Sequence, residues 1–62
     1  MNKILIIVPA YNEAENIEDV LTSLYLQDKS WDLLVVDDGS IDNTTKLAQE
    51  TGLAEVVQLP VN

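Results

Sequence analysis

The 62-residue chain contains no cysteine and no histidine. The first absence excludes a disulfide scaffold, a thiol nucleophile and a zinc–thiolate site. The second removes the commonest general base and metal ligand. Basic residues are scarce as well: three lysines face eleven aspartates and glutamates, for a net charge of −8. So acidic a surface repels nucleic acid and anionic membranes. A phosphorylated ligand would need backbone amides, a helix N-terminus or a metal to offset that charge. Only two prolines and two glycines interrupt a chain that is 47% hydrophobic, which argues against disorder. A chain this short buries only about 60% of its unfolded surface, so one small core is the most it can build.

Long hydrophobic runs are missing too. Lys3 is followed by five apolar residues, Ile4 to Val8, and then by Pro9. A secretory core needs about 7–15 apolar residues, and a bilayer span needs about 20. The expectation is a cytoplasmic segment without a transmembrane helix, and residues 1–62 show no repeat or linker.

What is present is an alternation of strand and helix signals. Ile4-Leu5-Ile6-Ile7-Val8 is a continuous, largely β-branched run, read as a strand buried on both faces and ended by Pro9. Asn12 stands three residues before Glu15, the spacing of a capping box. Ile17, Val20, Leu21 and Leu24 then fall at helical spacing, predicting a helix over about residues 13–27. Asp28-Lys29-Ser30 breaks the pattern, and Leu33-Leu34-Val35-Val36 predicts a second buried strand. Asp42 is placed to cap a second helix over about residues 43–51, with Leu47, Ala48, Thr44 and Thr51 as its inner face and Gly52 as its stop. Leu53, Val56, Val57 and Leu59 suggest a third strand before Pro60.

The class is therefore α/β, in the order β-α-β-α-β, with a parallel sheet in spatial order 3-2-1. Right-handed crossovers then place both helices on one face. The other face of two wholly apolar strands would be bare, which predicts either a fragment of a larger α/β domain or self-association through the uncovered face.

Ligands of open parallel sheets bind at the carboxyl ends of the strands. Two polar clusters fall there: Pro9-Ala10-Tyr11-Asn12-Glu13 and Asp37-Asp38-Gly39-Ser40. They offer an aromatic face, a carboxamide, carboxylates and a glycine, a set suited to a nucleoside. An adjacent pair of carboxylates repels itself, which favours a functional role for at least Asp38 over a plain turn. Asn12 with Glu15 reads more simply as a cap, and Trp31 and Tyr25 as packing rather than sugar platforms. Glu18, Asp19, Glu50 and Glu55 read as solvated surface.

Val8-Pro9-Ala10-Tyr11-Asn12-Glu13-Ala14-Glu15-Asn16-Ile17, followed by Val35-Val36-Asp37-Asp38-Gly39-Ser40-Ile41-Asp42-Asn43-Thr44, resembles the start of a family 2 glycosyltransferase of the GT-A fold. The variant is similar to that of the polyprenyl-phosphate sugar transferases. The resemblance covers essentially the whole chain. It implies that residues 1–62 are the N-terminal, nucleotide-binding portion of such an enzyme, a Rossmann-like half domain. It further implies a UDP- or GDP-sugar donor, an acceptor hydroxyl or phosphate, and a divalent metal, Mg or Mn. Pro9, Ala10 and Tyr11 would flank the base, Glu13 would close the pocket, Asp38 would meet base or ribose, and Asp37 would support it. Ile41 departs from a common Thr. The family's metal-binding Asp-x-Asp and its general base lie after later strands, so this chain has neither catalytic nor metal residues and is expected to be inactive alone. The parent would work in the cytoplasm or at the cytoplasmic face of a membrane.

Three other readings remain. A phosphoacceptor receiver also pairs acids at a strand end, but after the first strand and with a further Asp after the third; here the third ends in Leu59-Pro60. A dinucleotide-binding unit needs Gly-x-Gly-x-x-Gly after the first strand, where Pro9-Ala10-Tyr11 stands. The last is a non-catalytic, self-associating α/β module.

Overall fold

A computed structural model describes residues 3–60. The elements are β1 (Leu5–Ala10), α1 (Ile17–Gln27), β2 (Asp32–Asp37), α2 (Thr44–Glu50) and β3 (Glu55–Gln58). The three strands form one parallel sheet in the order β1-β2-β3, the expected 3-2-1 arrangement. The final residues Val61 and Asn62, where the family resemblance would lead into a glycine-containing segment, lie outside the described part.

Pro9 does not end the first strand, which runs through it to Ala10. The reason is the position of β1 at the sheet edge. The carbonyls of Ile4 and Ala10 accept amides of Asp32 and Asp38, each at 2.9 Å, so even-numbered residues of β1 turn their polar backbone toward β2. Pro9 is odd, and its missing N–H falls on the open edge, where no ladder bond is lost.

The even residues of β1 and the odd residues of β2 share the helix-covered face, because Ile6 pairs with Leu33, Val8 with Val35 and Ala10 with Asp37. Against it lie Ile17 and Leu21 from α1 and Ala48 from α2, all buried in one cluster with Ala10, Leu33 and Val35. Leu24, Trp31, Leu47 and Val56 pack around that cluster. The expected helical stripe is narrower than its spacing suggests, since Val20 is exposed.

The opposite face is uncovered. Leu5 and Ile7 are 55% and 58% exposed, and Val57 is exposed as well. The expectation of strands buried on both sides therefore fails for β1 within this chain: its continuous apolar run includes one face with nothing packed on it.

Loop chemistry sets the element ends. The Asp28 carboxylate accepts the amide and hydroxyl of Ser30 at 2.9 and 2.7 Å, which closes the turn after α1. These bonds also hold the Asp28 carboxyl below its usual range. Gly52 has φ +68° directly after the Thr51 C-cap, the left-handed stop expected there. The first helix starts later than the sequence suggests, at Ile17 rather than near residue 13. Its cap position is Asn16, and residues 13–16 form a separate turn in which the Glu13 carbonyl accepts the amides of Asn16 and Ile17. The second helix starts at Thr44, one residue late, yet Asp42 still accepts the Thr44 amide at 3.0 Å.

Candidate functional site

The loops that follow β1 and β2 meet at the carboxyl end of the sheet. The Asp38 amide donates to the Ala10 carbonyl at 2.9 Å, which extends the ladder one step beyond the paired strands. This bond sets Asp38 beside the Ala10–Tyr11 peptide. Tyr11 is 57% exposed, and Asp38 is exposed too.

Asp37 is different. It continues the inward-facing series Leu33, Val35, Asp37 and is fully buried. Its Oδ1 accepts the Ser40 amide at 2.9 Å and the Ser40 hydroxyl at 2.5 Å, and its Oδ2 accepts the Thr45 hydroxyl. Gly39, with φ +78°, gives the reversal that returns Ser40 to this carboxylate. Burial is the largest single influence on the Asp37 carboxyl and pushes it up. The hydrogen bonds from Ser40 and Thr45 outweigh burial and the nearby Asp42 charge, and leave the carboxyl below its ordinary value.

The first loop is tied to the second through consecutive amides. Asn12 N–H donates to Ser40 Oγ at 2.8 Å, Glu13 N–H to Thr44 Oγ1 at 2.8 Å and Ala14 N–H to Asp42 Oδ2 at 3.2 Å. Each hydroxyl that accepts from this loop donates in turn to a carboxylate, Ser40 to Asp37 and Thr44 to Asp42. The Thr44 hydroxyl is the main influence lowering the Asp42 carboxyl, against a smaller opposing effect of desolvation. One bond returns the other way: Ile41 N–H donates to Asn12 Oδ1 at 3.0 Å. Asn12 holds φ +50°, a left-handed conformation that asparagine tolerates better than most residues. It is therefore a bridge between loops and not the predicted helix cap.

The predicted site residues accordingly separate. Ala10, Tyr11, Asp37 and Asp38 come together at the strand ends. Pro9 lies one residue back, exposed, with its ring nitrogen at the open edge of the sheet. Glu13 is exposed on the turn before α1. Sequence reasoning missed Ser40, Thr44 and Thr45 as loop anchors; it preferred a cap to a ligand contact for Asn12 and gave Asp42 only a capping role.

The amides of Asn12, Glu13, Ala14, Ser40 and Ile41 are each satisfied within the chain. Such a loop pair has no free nest of those N–H groups for a pyrophosphate. What it presents outward is a phenol ring and a carboxylate, which suit a base and a ribose. Two recesses lie away from this crest. One of about 520 Å³ opens at the amino end of the strands, beside Trp31, Leu53 and Glu55. The other, of about 560 Å³, lies along α1 beside Glu13, Val20 and Leu24. The strand-end location follows from the backbone geometry and exposed chemistry, not from either of these hollows.

The family model for glycosyl transferase family 2 matches residues 5–62. The chain belongs to that family. This family 2 chain is 44% identical over 55 residues to glycosyltransferase AglJ of Haloferax volcanii, covering 89% of the chain and 18% of that protein. It is 42% identical over 50 residues to a dolichol-phosphate mannosyltransferase of Pyrococcus furiosus, covering 77% and 14%. It is 46% identical over 48 residues to a UDP-N-acetylglucosamine–dolichyl-phosphate N-acetylglucosaminyltransferase of Methanococcus voltae, covering 76% and 18%. The chain thus spans less than a fifth of the length of these relatives. No solved structure matches it. The Rossmann-like arrangement of three parallel strands and two helices agrees with membership of a GT-A domain.

The divalent metal implied by the family finds no donor set here. Among the described residues no three acidic side chains gather as a group able to hold a metal ion. Asp37 is already filled by hydroxyl and amide donors. No helix of the described residues is long and apolar enough to cross a membrane.

Proposed function

We propose that this family 2 chain forms the nucleoside-binding portion of a glycosyltransferase that moves a sugar from a UDP- or GDP-sugar to a polyprenyl-phosphate acceptor. The observation that carries the reading is the Asp38–Ala10 bond, which sets the backbone of an exposed acid beside that of an exposed tyrosine, next to loop amides already satisfied within the chain. Tyr11 stacks on the base, Asp38 accepts hydrogen bonds from base N–H or ribose hydroxyls, and Asp37 holds the second loop. In this reading Pro9 and Glu13 flank the crest from the sheet edge and from the turn before α1, and Ala10, buried beneath, supports Tyr11. The names of the relatives support the acceptor class, since two of the three refer to dolichyl or dolichol phosphate. The metal ligands and the general base belong to sequence outside these 62 residues, so the chain alone transfers no sugar. Such an enzyme would act in the cytoplasm, at the cytoplasmic face of the membrane that carries the lipid acceptor.

Titration of the chain with UDP and GDP, followed by NMR at the Tyr11 and Asp38 amides, tests this. Replacing Tyr11 by Ala is expected to cost about 1–3 kcal/mol of nucleotide affinity, by analogy with base–aromatic stacking on single strands. Asp38→Asn should weaken binding while leaving the urea midpoint unchanged, because its side chain is exposed. Equal affinity in wild type and Tyr11→Ala would remove the ring from the site.

A second reading, the self-associating module, is favoured by one observation: Leu5, Ile7 and Val57 are exposed on the uncovered sheet face. Light scattering should then show association that increases with concentration and that Ile7→Lys reverses. A monomer at every concentration would eliminate this second reading and leave the first intact.

A further inference from the structure

We propose that Asn12 is a positioning residue whose carboxamide locks the Tyr11 loop in register with the Asp38 loop. This inference rests on the nucleoside-site reading above. The two loops are joined in both directions. Three amides of the first loop run to side chains of the second, and these bonds survive most substitutions in the first loop because they use its backbone. The return bond is different in kind. It runs from the Ile41 amide to Asn12 Oδ1 and is the single loop-to-loop bond among those described that depends on a first-loop side chain.

The placement of that bond gives it leverage. Asn12 directly follows Tyr11, and Ile41 directly follows Ser40, whose hydroxyl accepts the Asn12 amide. The two bonds close a ring between Asn12 and the Ser40–Ile41 peptide, and such a ring resists both sliding and twisting of one loop on the other. Without the return bond, Asn12 itself would be held to Ser40–Ile41 by one bond alone, which leaves its own twist free. Ser40 is itself held by the buried Asp37 carboxylate through its amide and its hydroxyl. Rigidity therefore passes from the core through Ser40 to the backbone beside Tyr11. The left-handed φ of +50° is what aims the Asn12 side chain across the gap. Preorganisation of this kind raises affinity by removing an ordering cost on binding.

Three substitutions separate the elements of the argument. Asn12→Gly keeps the left-handed backbone and the bond to Ser40 and loses only the acceptor. Asn12→Ala loses the acceptor and puts at φ +50° a residue that tolerates the left-handed backbone less well than asparagine does. Asn12→Asp keeps an acceptor at the same place. The glycine and alanine variants should each bind UDP or GDP about fivefold more weakly, as expected for loss of one net hydrogen bond. Asn12→Asp should return to within about twofold of wild type. Glycine should leave the urea midpoint closer to wild type than alanine does.

Hydrogen exchange at the Ile41 amide is read on the same samples and needs no ligand. It should accelerate in the glycine and alanine variants and return toward the wild-type rate in the aspartate variant. Exchange unaffected by all three substitutions overturns the proposal. So does accelerated exchange with nucleotide affinity unchanged. If wild type binds neither nucleotide, the nucleoside-site reading fails by itself, and 15N order parameters at Tyr11 and Asp38 decide the locking role: lower values in the glycine and alanine variants support it, and unchanged values reject it.

Discussion

Replacing Asp37 by Ala is expected to destabilise the chain by about 3–5 kcal/mol, because it removes the charged acceptor of three hydrogen bonds and leaves their neutral donors to find other partners. The carboxylate is fully buried and takes three donors from two residues. Removing it leaves the Ser40 amide, the Ser40 hydroxyl and the Thr45 hydroxyl facing a cavity. Each unsatisfied buried group costs about 1–3 kcal/mol, reduced where a hydroxyl rotates to another acceptor or water enters. A 62-residue chain has only about 3–9 kcal/mol of total stability at the usual per-residue range. Asp37→Ala should therefore give up at least about a third of that stability, and all of it at the lower end of the range, as measured by urea denaturation followed by far-UV circular dichroism. Asp37→Asn keeps the shape and one acceptor oxygen and should lose less.

The same pair gives the pH dependence. The folded Asp37 carboxyl lies below its ordinary value, so the unfolded chain binds more protons in the acid range and stability falls as pH falls. The contribution is fully present above the unfolded value of about 3.9 and disappears as pH drops through the folded one. Relief of repulsion among the surface acids runs in the opposite direction, but wild type and Asp37→Asn share it. The difference in stability between them should be flat from about pH 7 to 5 and shrink below about pH 4. A difference that grew on acidification would show that burial, rather than the hydroxyl donors, governs this carboxyl.

Much of this architecture was legible in the residues. Apolar runs of five and four residues separated by a helical stripe allow little but a parallel β-α-β unit, and the polar clusters after each run fall at one sheet edge by topology alone. The uncovered face was legible too, because two helices with right-handed crossovers leave one side of the sheet open. Errors arose where a local signal competed with a distant partner. Asn12-x-x-Glu15 has the spacing of a capping box, yet the Asn12 side chain is taken by an amide 29 residues away. Nothing local to that motif reports the second loop. Pro9 reads as a stop unless β1 is known to be an edge, which depends on the sheet order. Asp37 is the instructive case. Its inward direction follows from the parity it shares with Leu33 and Val35, and Ser40 and Thr45 stand nearby as donors. That signal was in the chain: alternation sends Asp37 and Asp38 in opposite directions, so the adjacent acids do not act as a pair.

The second large effect is expected at Leu21. Leu21 is wholly buried on the inner face of α1, in one cluster with Ile17, Ala10, Leu33, Val35 and Ala48. Truncation to Ala removes the packed methyl groups and leaves a cavity, for about 2–5 kcal/mol. The upper half of that range is expected, because so small a core has few side chains able to collapse into the space. Leu26 is the control. It lies on the same helix and is 67% exposed, so Leu26→Ala should change stability by no more than about 0.5 kcal/mol. Helix propensity is nearly equal for the two substitutions, since each replaces leucine by alanine within α1. Any gap between them therefore measures packing against the sheet. The consequence reaches the candidate site, because α1 begins where the tethered residues 12–14 lead into the 13–16 turn, and a detached helix would pull on those tethers. Leu21→Ala should accordingly lose urea resistance and nucleotide binding together, whereas Tyr11→Ala should lose binding alone. Near-equal midpoints for Leu21→Ala and Leu26→Ala would mean that α1 does not seat its Ile17–Leu21 face on the strands, and the loop placement argued from that packing would fall with it.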